Sequence, residues 1–98
     1  MKQLEIDPQF VVTLDYTSPD LPAAVRQFKP VLYQEDESFC CILGPDKEQA
    51  VIGYGATEDE AIKNWVTDFK QRLESRNEND TVAQYLRDML SASKYDIN

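Results

Sequence analysis

Few residues in this chain are of a kind that does chemistry, and their spacing limits what each can do. Gly53 and Gly55 stand one residue apart ahead of a helix-like stretch, an arrangement that invites a phosphate to a helix N-terminus. The third glycine of a dinucleotide fingerprint is missing, however, and Glu58, Asp59 and Glu60 would repel a phosphate there. The glycines read instead as licence for a sharp change of direction between a strand and a helix. Glu35-Asp36-Glu37 could attract a cation, but three consecutive acids do not converge on one point as a metal loop requires. They read as a solvated hairpin turn, and the acids at 58–60 as partners of the helix dipole. Cys40 and Cys41 are neighbours in an apolar run. On a strand they point to opposite faces, so neither a mutual disulfide nor a metal site is expected, and both read as small buried hydrophobes. The chain has no histidine, and no serine sits in a nucleophile-elbow pattern. With 18 acids some carboxylates must lie near one another, yet no spacing singles out a pair for acid–base work. The residues predict no enzyme, no cofactor and no metal.

The elements that position these residues are organised around 53–73. Thr57 precedes Glu60 by three, the spacing of a capping box. Ala61, Ile62, Trp65, Val66, Phe69 and Leu73 then recur at helical spacing and predict one long amphipathic helix. Upstream, Phe10 to Tyr16 reads as a strand, and Leu21 to Phe28 as either a short helix capped by Ser18 with Pro19 at its first position or an irregular connector. Val31 to Tyr33, Phe39 to Leu43 and Gln49 to Tyr54 read as three strands joined by a polar turn and the Gly44-Pro45-Asp46 loop. Downstream, Glu74 to Asp80 is polar linker. Val82, Tyr85, Leu86, Met89 and Leu90 stripe a second helix over 80–94, starting at Asp80 or Thr81 and frayed from Ser91 on. The expected fold is α+β: a three-stranded antiparallel meander with one long helix on one face, plus an N-terminal strand and a C-terminal helix. Residues 1–98 make a single domain, with 31–73 as its core.

Charge narrows the partners. Ten bases against 18 acids give a formal charge of −8, which disfavours a duplex-binding surface and suits a basic partner or simply a soluble one. Tyr33, Phe39, Tyr54, Trp65 and Phe69 could stack bases, but no basic residues interleave with them, and their positions are those of a core. No run approaches a membrane span, and Met1 to Pro8 lacks the apolar core of a signal peptide. The expected location is the cytoplasm.

The succession of strands, a Gly-Pro-Asp loop, a further strand and Gly55-Ala56-Thr57-Glu58-Asp59-Glu60-Ala61 resembles the HicB-like antitoxin domain over residues 31–73. The resemblance implies a β-β-β-α core of the partial ribonuclease H or double-stranded-RNA-binding type. It implies a non-enzymatic module that binds and occludes a small basic ribonuclease toxin. The chain departs from the family's pattern in two places. Residues 80–94 are too few for a helix-turn-helix or ribbon-helix-helix module, and the loop 44–49 lacks the family's Asp-Leu-Pro-Gly run. An RNA-binding domain of the same topology, or a small phage or prophage protein with a structural role, is the alternative.

One helix covers one face of a sheet, so the apolar residues of the second face need a cover. Cys40, Ile42 and Val51 are expected on that outer face, and Val82, Tyr85, Leu86 and Met89 on the helix that covers it. These seven are the candidate partner-binding residues. The linker is long enough to let the cover belong to a second copy, which predicts a homodimer with the C-terminal helix exchanged or paired.

Overall fold

Strand side chains alternate between faces, and the apolar residues here alternate so as to make two hydrophobic surfaces on one sheet. The computed structural model describes residues 3–74 and 79–96. It contains β1 (Val11–Val12), α1 (Ala23–Phe28), β2 (Val31–Glu35), β3 (Ser38–Leu43), β4 (Val51–Gly55), α2 (Glu58–Glu74) and α3 (Thr81–Asp96). The strands form an antiparallel sheet in the order β1-β2-β3-β4. The expected three-stranded meander is therefore extended by a fourth strand, which pairs with β2 through Val11↔Tyr33 and Val12↔Leu32.

The N-terminal strand is shorter than the 10–16 expected. Pro8–Phe10 is a 3-10 turn in which Asp7 accepts from the Gln9 N–H, and only two residues join the ladder. Beyond it Val12, Leu14 and Tyr16 still turn toward the core, and Tyr16 Oη donates to the Pro30 carbonyl at 2.6 Å. Ser18 does not cap a helix. Its hydroxyl and carbonyl accept from Asp20 and Leu21 in a turn, and Pro22, extended at ψ 147°, delays α1 to Ala23.

The main core lies between the sheet and all three helices. Val25 and Phe28 of α1, Leu32, Cys41 and Val51 of the sheet, Ala61, Trp65 and Phe69 of α2, and Val82 and Leu86 of α3 make one cluster. Trp65 is fully buried and stacks on Phe69 with ring centroids 5.3 Å apart. Phe28 meets Phe69 at 5.2 Å and Tyr85 at 6.3 Å, joining the three helices through aromatic contacts.

The register corrects two expectations. Leu43 pairs with Val51 and Cys41 with Gly53, which puts Val51 on the helix face beside Leu43 and not on the outer face. The outer row is Val11, Tyr33, Cys40 and Tyr54, with Val31, Ile42 and Ile52 alongside. Likewise α3 packs with α2 in the main core and does not cover the outer face. It runs to Asp96, past both the frayed Ser91 and the 94 limit expected. Asp80 caps it by accepting from the Ala83 N–H at 3.0 Å.

Thr57 caps α2 as its spacing predicts, its hydroxyl accepting from the Glu60 N–H at 3.1 Å. The glycines before it do something else than turn the chain. Among the three glycines only Gly44 has a positive φ, at 148°. A Cβ on Gly53 would sit 2.1 Å from the Trp65 nitrogen, and one on Gly55 2.5 Å from the Ala61 nitrogen. Their missing side chains let the backbone of α2 lie directly on β4.

Candidate interaction surface

Two residues along a strand advance about 6.7 Å, and four along a helix about 6.0 Å. A helix lying along a strand can therefore repeat one contact at every second strand residue and every fourth helix residue. The close approaches of Gly55 to Ala61 and of Gly53 to Trp65 follow that match. So does a second, polar row at the free edge of β4. Asn64 Nδ2 donates to the Tyr54 carbonyl at 2.6 Å, and Asp68 Oδ2 accepts from the Ile52 N–H at 2.9 Å. Arg72 donates to the Gln49 and Ala50 carbonyls at 2.6 and 3.0 Å, and reaches Asp80 at 3.4 Å. Backbone groups that a further strand would have used are thus held by side chains of α2. The sequence places Asn64 and Asp68 on the polar side of the helix; only the match of pitches reveals what they and Arg72 hold.

The outer face is covered from within the chain. Leu4 and Ile6 pack on Tyr33, Cys40, Ile42 and Ala50. This strap is fixed to Gly44, whose carbonyl accepts from the Leu4 N–H at 2.8 Å and whose N–H donates to Gln3 Oε1 at 2.9 Å. The loop after β3 folds back over the same face. Leu43 lies at one end of its hairpin and Glu35 at the far end of β2, yet Lys47 Nζ meets Glu35 Oε1 at 2.8 Å. Beneath this cover Cys40 and Ile42 are fully buried, and burial pushes the Cys40 thiol and the Tyr33 phenol above their ordinary ranges. Tyr33 Oη is buried without a hydrogen-bond partner, beside the Cys40 thiol.

The seven residues expected to meet a partner are therefore not gathered on one surface. Cys40 and Ile42 lie under the strap; Val51, Val82 and Leu86 lie in the main core; Tyr85 and Met89 pack partly buried against it. The strap was missed because Leu4 and Ile6 are only two apolar residues among polar ones, with no strand or helix period to mark them.

What the fold does present is a charged end. Phe39 pairs with Gly55, so the β2–β3 turn and the first turn of α2 lie at the same end of the sheet. That end carries Glu35, Asp36 and Glu37 on one element and Glu58, Asp59 and Glu60 on the other. Asp36 takes the left-handed conformation at φ 54° that the tight turn demands. Beside the second set a shallow groove of about 320 Å³ is lined by half-buried Phe39 with Ala56, Thr57, Glu58 and Asp59. Only Glu35 of these acids has a basic partner in an ion pair among the described residues. A larger groove of about 380 Å³ separates Asp20, Leu21 and Pro22 from Ile62, Lys63 and Val66 of α2. No group of three or more potential metal ligands converges among the described residues, and none of their helices is long and apolar enough to cross a membrane.

Comparison of the chain with family models, with curated proteins and with solved structures finds no match in any of the three.

Proposed function

We propose that this chain is a HicB-like protein-interaction module that binds and occludes a small basic protein, in the manner of an antitoxin, and catalyses no reaction. The observation that carries the reading is the acidic end, where the β2–β3 turn and the first turn of α2 bring six acidic residues to one end of the sheet on a chain of net charge −8, and Phe39 lines a groove there with Glu58 and Asp59. Clustered charge of one sign steers an oppositely charged partner and holds it most strongly at low salt. A half-buried aromatic in the groove at that end adds the apolar contact that charge alone lacks. The test is co-expression with a small basic ribonuclease of the kind HicB-like antitoxins occlude. The intact chain should form a complex that the substitutions Asp36→Lys, Glu37→Lys, Glu58→Lys and Asp59→Lys together abolish. A complex indifferent to these four reversals would sink the proposal.

Self-association belongs to the same reading in one form. The stripe of α3 docks on α2, and the same contacts can form between copies if α3 is exchanged through the 74–80 linker, part of which lies outside the described residues. A second reading, RNA binding, is favoured by one observation. The order α1-β2-β3-β4-α2 with both helices on one face resembles a double-stranded-RNA-binding domain. Two described bases are engaged within the fold, Lys47 with Glu35 and Arg72 with Asp80. Binding of an RNA duplex that weakens steeply with salt would support this reading over the first.

A further inference from the structure

The two edges of the sheet are protected in different ways. At β1 the ladder is two residues long, Pro8 has no N–H, and the Val11 N–H is taken by the Pro8 carbonyl. That edge offers little to a strand. At β4 the edge is longer, and from Ala50 to Gly55 the sequence Ala-Val-Ile-Gly-Tyr-Gly carries no charge. Tyr54 beside it is 48% exposed. A long, uncharged, apolar edge is the kind that pairs with another chain. Here the Ala50 carbonyl, the Ile52 N–H and the Tyr54 carbonyl are held by Arg72, Asp68 and Asn64, and the Ala50 N–H donates to the Asp46 carbonyl.

We propose that the free edge of β4 is a latent docking strand for a second copy of this chain, and that Asn64, Asp68 and Arg72 are the guard that keeps it closed. The occupant follows from the strand itself. An antiparallel pair centred on Ile52 places Ile52 against Ile52 and Tyr54 against Ala50, so the Ile52 N–H would donate to the Ile52 carbonyl of the second copy and the Ala50 carbonyl would accept from its Tyr54 N–H. The outer side chains of Ile52 and Tyr54 would form the apolar cross-strand contacts that stabilise such a pair. Because the strand carries no charge, the pairing meets little like-charge repulsion even on an acidic protein. The guard makes the isolated chain resist this pairing without lengthening the fold, since α2 lies along β4 in any case.

The experiment compares wild type with Asn64→Ala/Asp68→Ala in the full chain, by light scattering over a range of protein concentration. The guardless chain should associate with a dissociation constant lower than that of wild type by on the order of tenfold or more. Ile52→Pro in the guardless background should abolish that gain. The Ile52 N–H points away from β3, so proline there removes only the bond the new partner needs. Asp68→Asn, which keeps an acceptor oxygen for the Ile52 N–H, should behave as wild type. If the double variant does not fold, Asn64→Ala and Asp68→Ala singly should each show the gain to a smaller degree. A folded guardless chain whose mass matches wild type at every concentration overturns the proposal, as does association that Ile52→Pro leaves intact.

Discussion

At the scale of single residues, the tightest constraint is the contact of β4 with α2. Gly53 and Gly55 are required because a Cβ there would fall within 2.1 and 2.5 Å of helix nitrogens, both backbone atoms that cannot move alone. Gly53→Ala should therefore destabilise by about 3 kcal/mol or more in urea unfolding, at the upper end of overpacking costs. A loss under about 1 kcal/mol would mean that α2 does not lie where it is placed. Trp65 is fully buried with its Nε1 lacking a partner. Trp65→Ala should cost about 3–5 kcal/mol, whereas Trp65→Phe, which removes the unsatisfied N–H along with some volume, should cost about 1 kcal/mol. The cysteines give a pH dependence. Burial raises the thiols of Cys40 and Cys41, and the phenol of Tyr33, in the folded chain. Above the unfolded thiol value of about 8.5 the unfolded state sheds protons that the folded state keeps, so stability falls as pH rises, and Tyr33 adds to the fall above about 10. Melting temperature should be level from neutrality to mildly alkaline pH and then decline; a rise across that range would contradict the assigned burial.

At the scale of elements, α2 does two tasks with two faces, and the sequence shows only one of them. Its apolar stripe and its Thr57 cap were legible because period and capping chemistry are local. Thr57→Ala should cost about 1 kcal/mol. The three later strands were legible for the same reason. The pairing partner of each face was not, since it depends on register: with Leu43 opposite Val51, Val51 joins the helix side, and no property of Val51 alone announces this. The length of β1, the strap at Leu4 and Ile6, and the docking of α3 on α2 also rest on long-range contacts. The glycines were seen, but as a turn; their reason is the closeness of the helix that follows, at Ala61 and Trp65. The polar row on α2 has a direct readout in hydrogen exchange. The Ile52 amide, held by Asp68, should exchange slowly for an edge strand, and Asp68→Ala should speed it by on the order of tenfold or more. Equal rates in the two proteins would show that the bond does not persist in solution.

At the scale of the molecule, the fold closes most of its own surfaces. One sheet face lies under three helices, the other under the strap and the Lys47 loop, and both edges are blunted. The acidic end is the surface that remains both charged and shaped, with Phe39 set in a groove beside Glu58 and Asp59. The HicB-like reading places the basic partner there. Its most direct test follows backbone amide resonances of the labelled chain as a small basic ribonuclease of the kind HicB-like antitoxins occlude is added. The account predicts shifts confined to residues 35–39 and 55–60, fading as salt is raised. Shifts centred instead on the groove at Leu21, Pro22 and Ile62, with residues 35–39 and 55–60 unmoved, would contradict it.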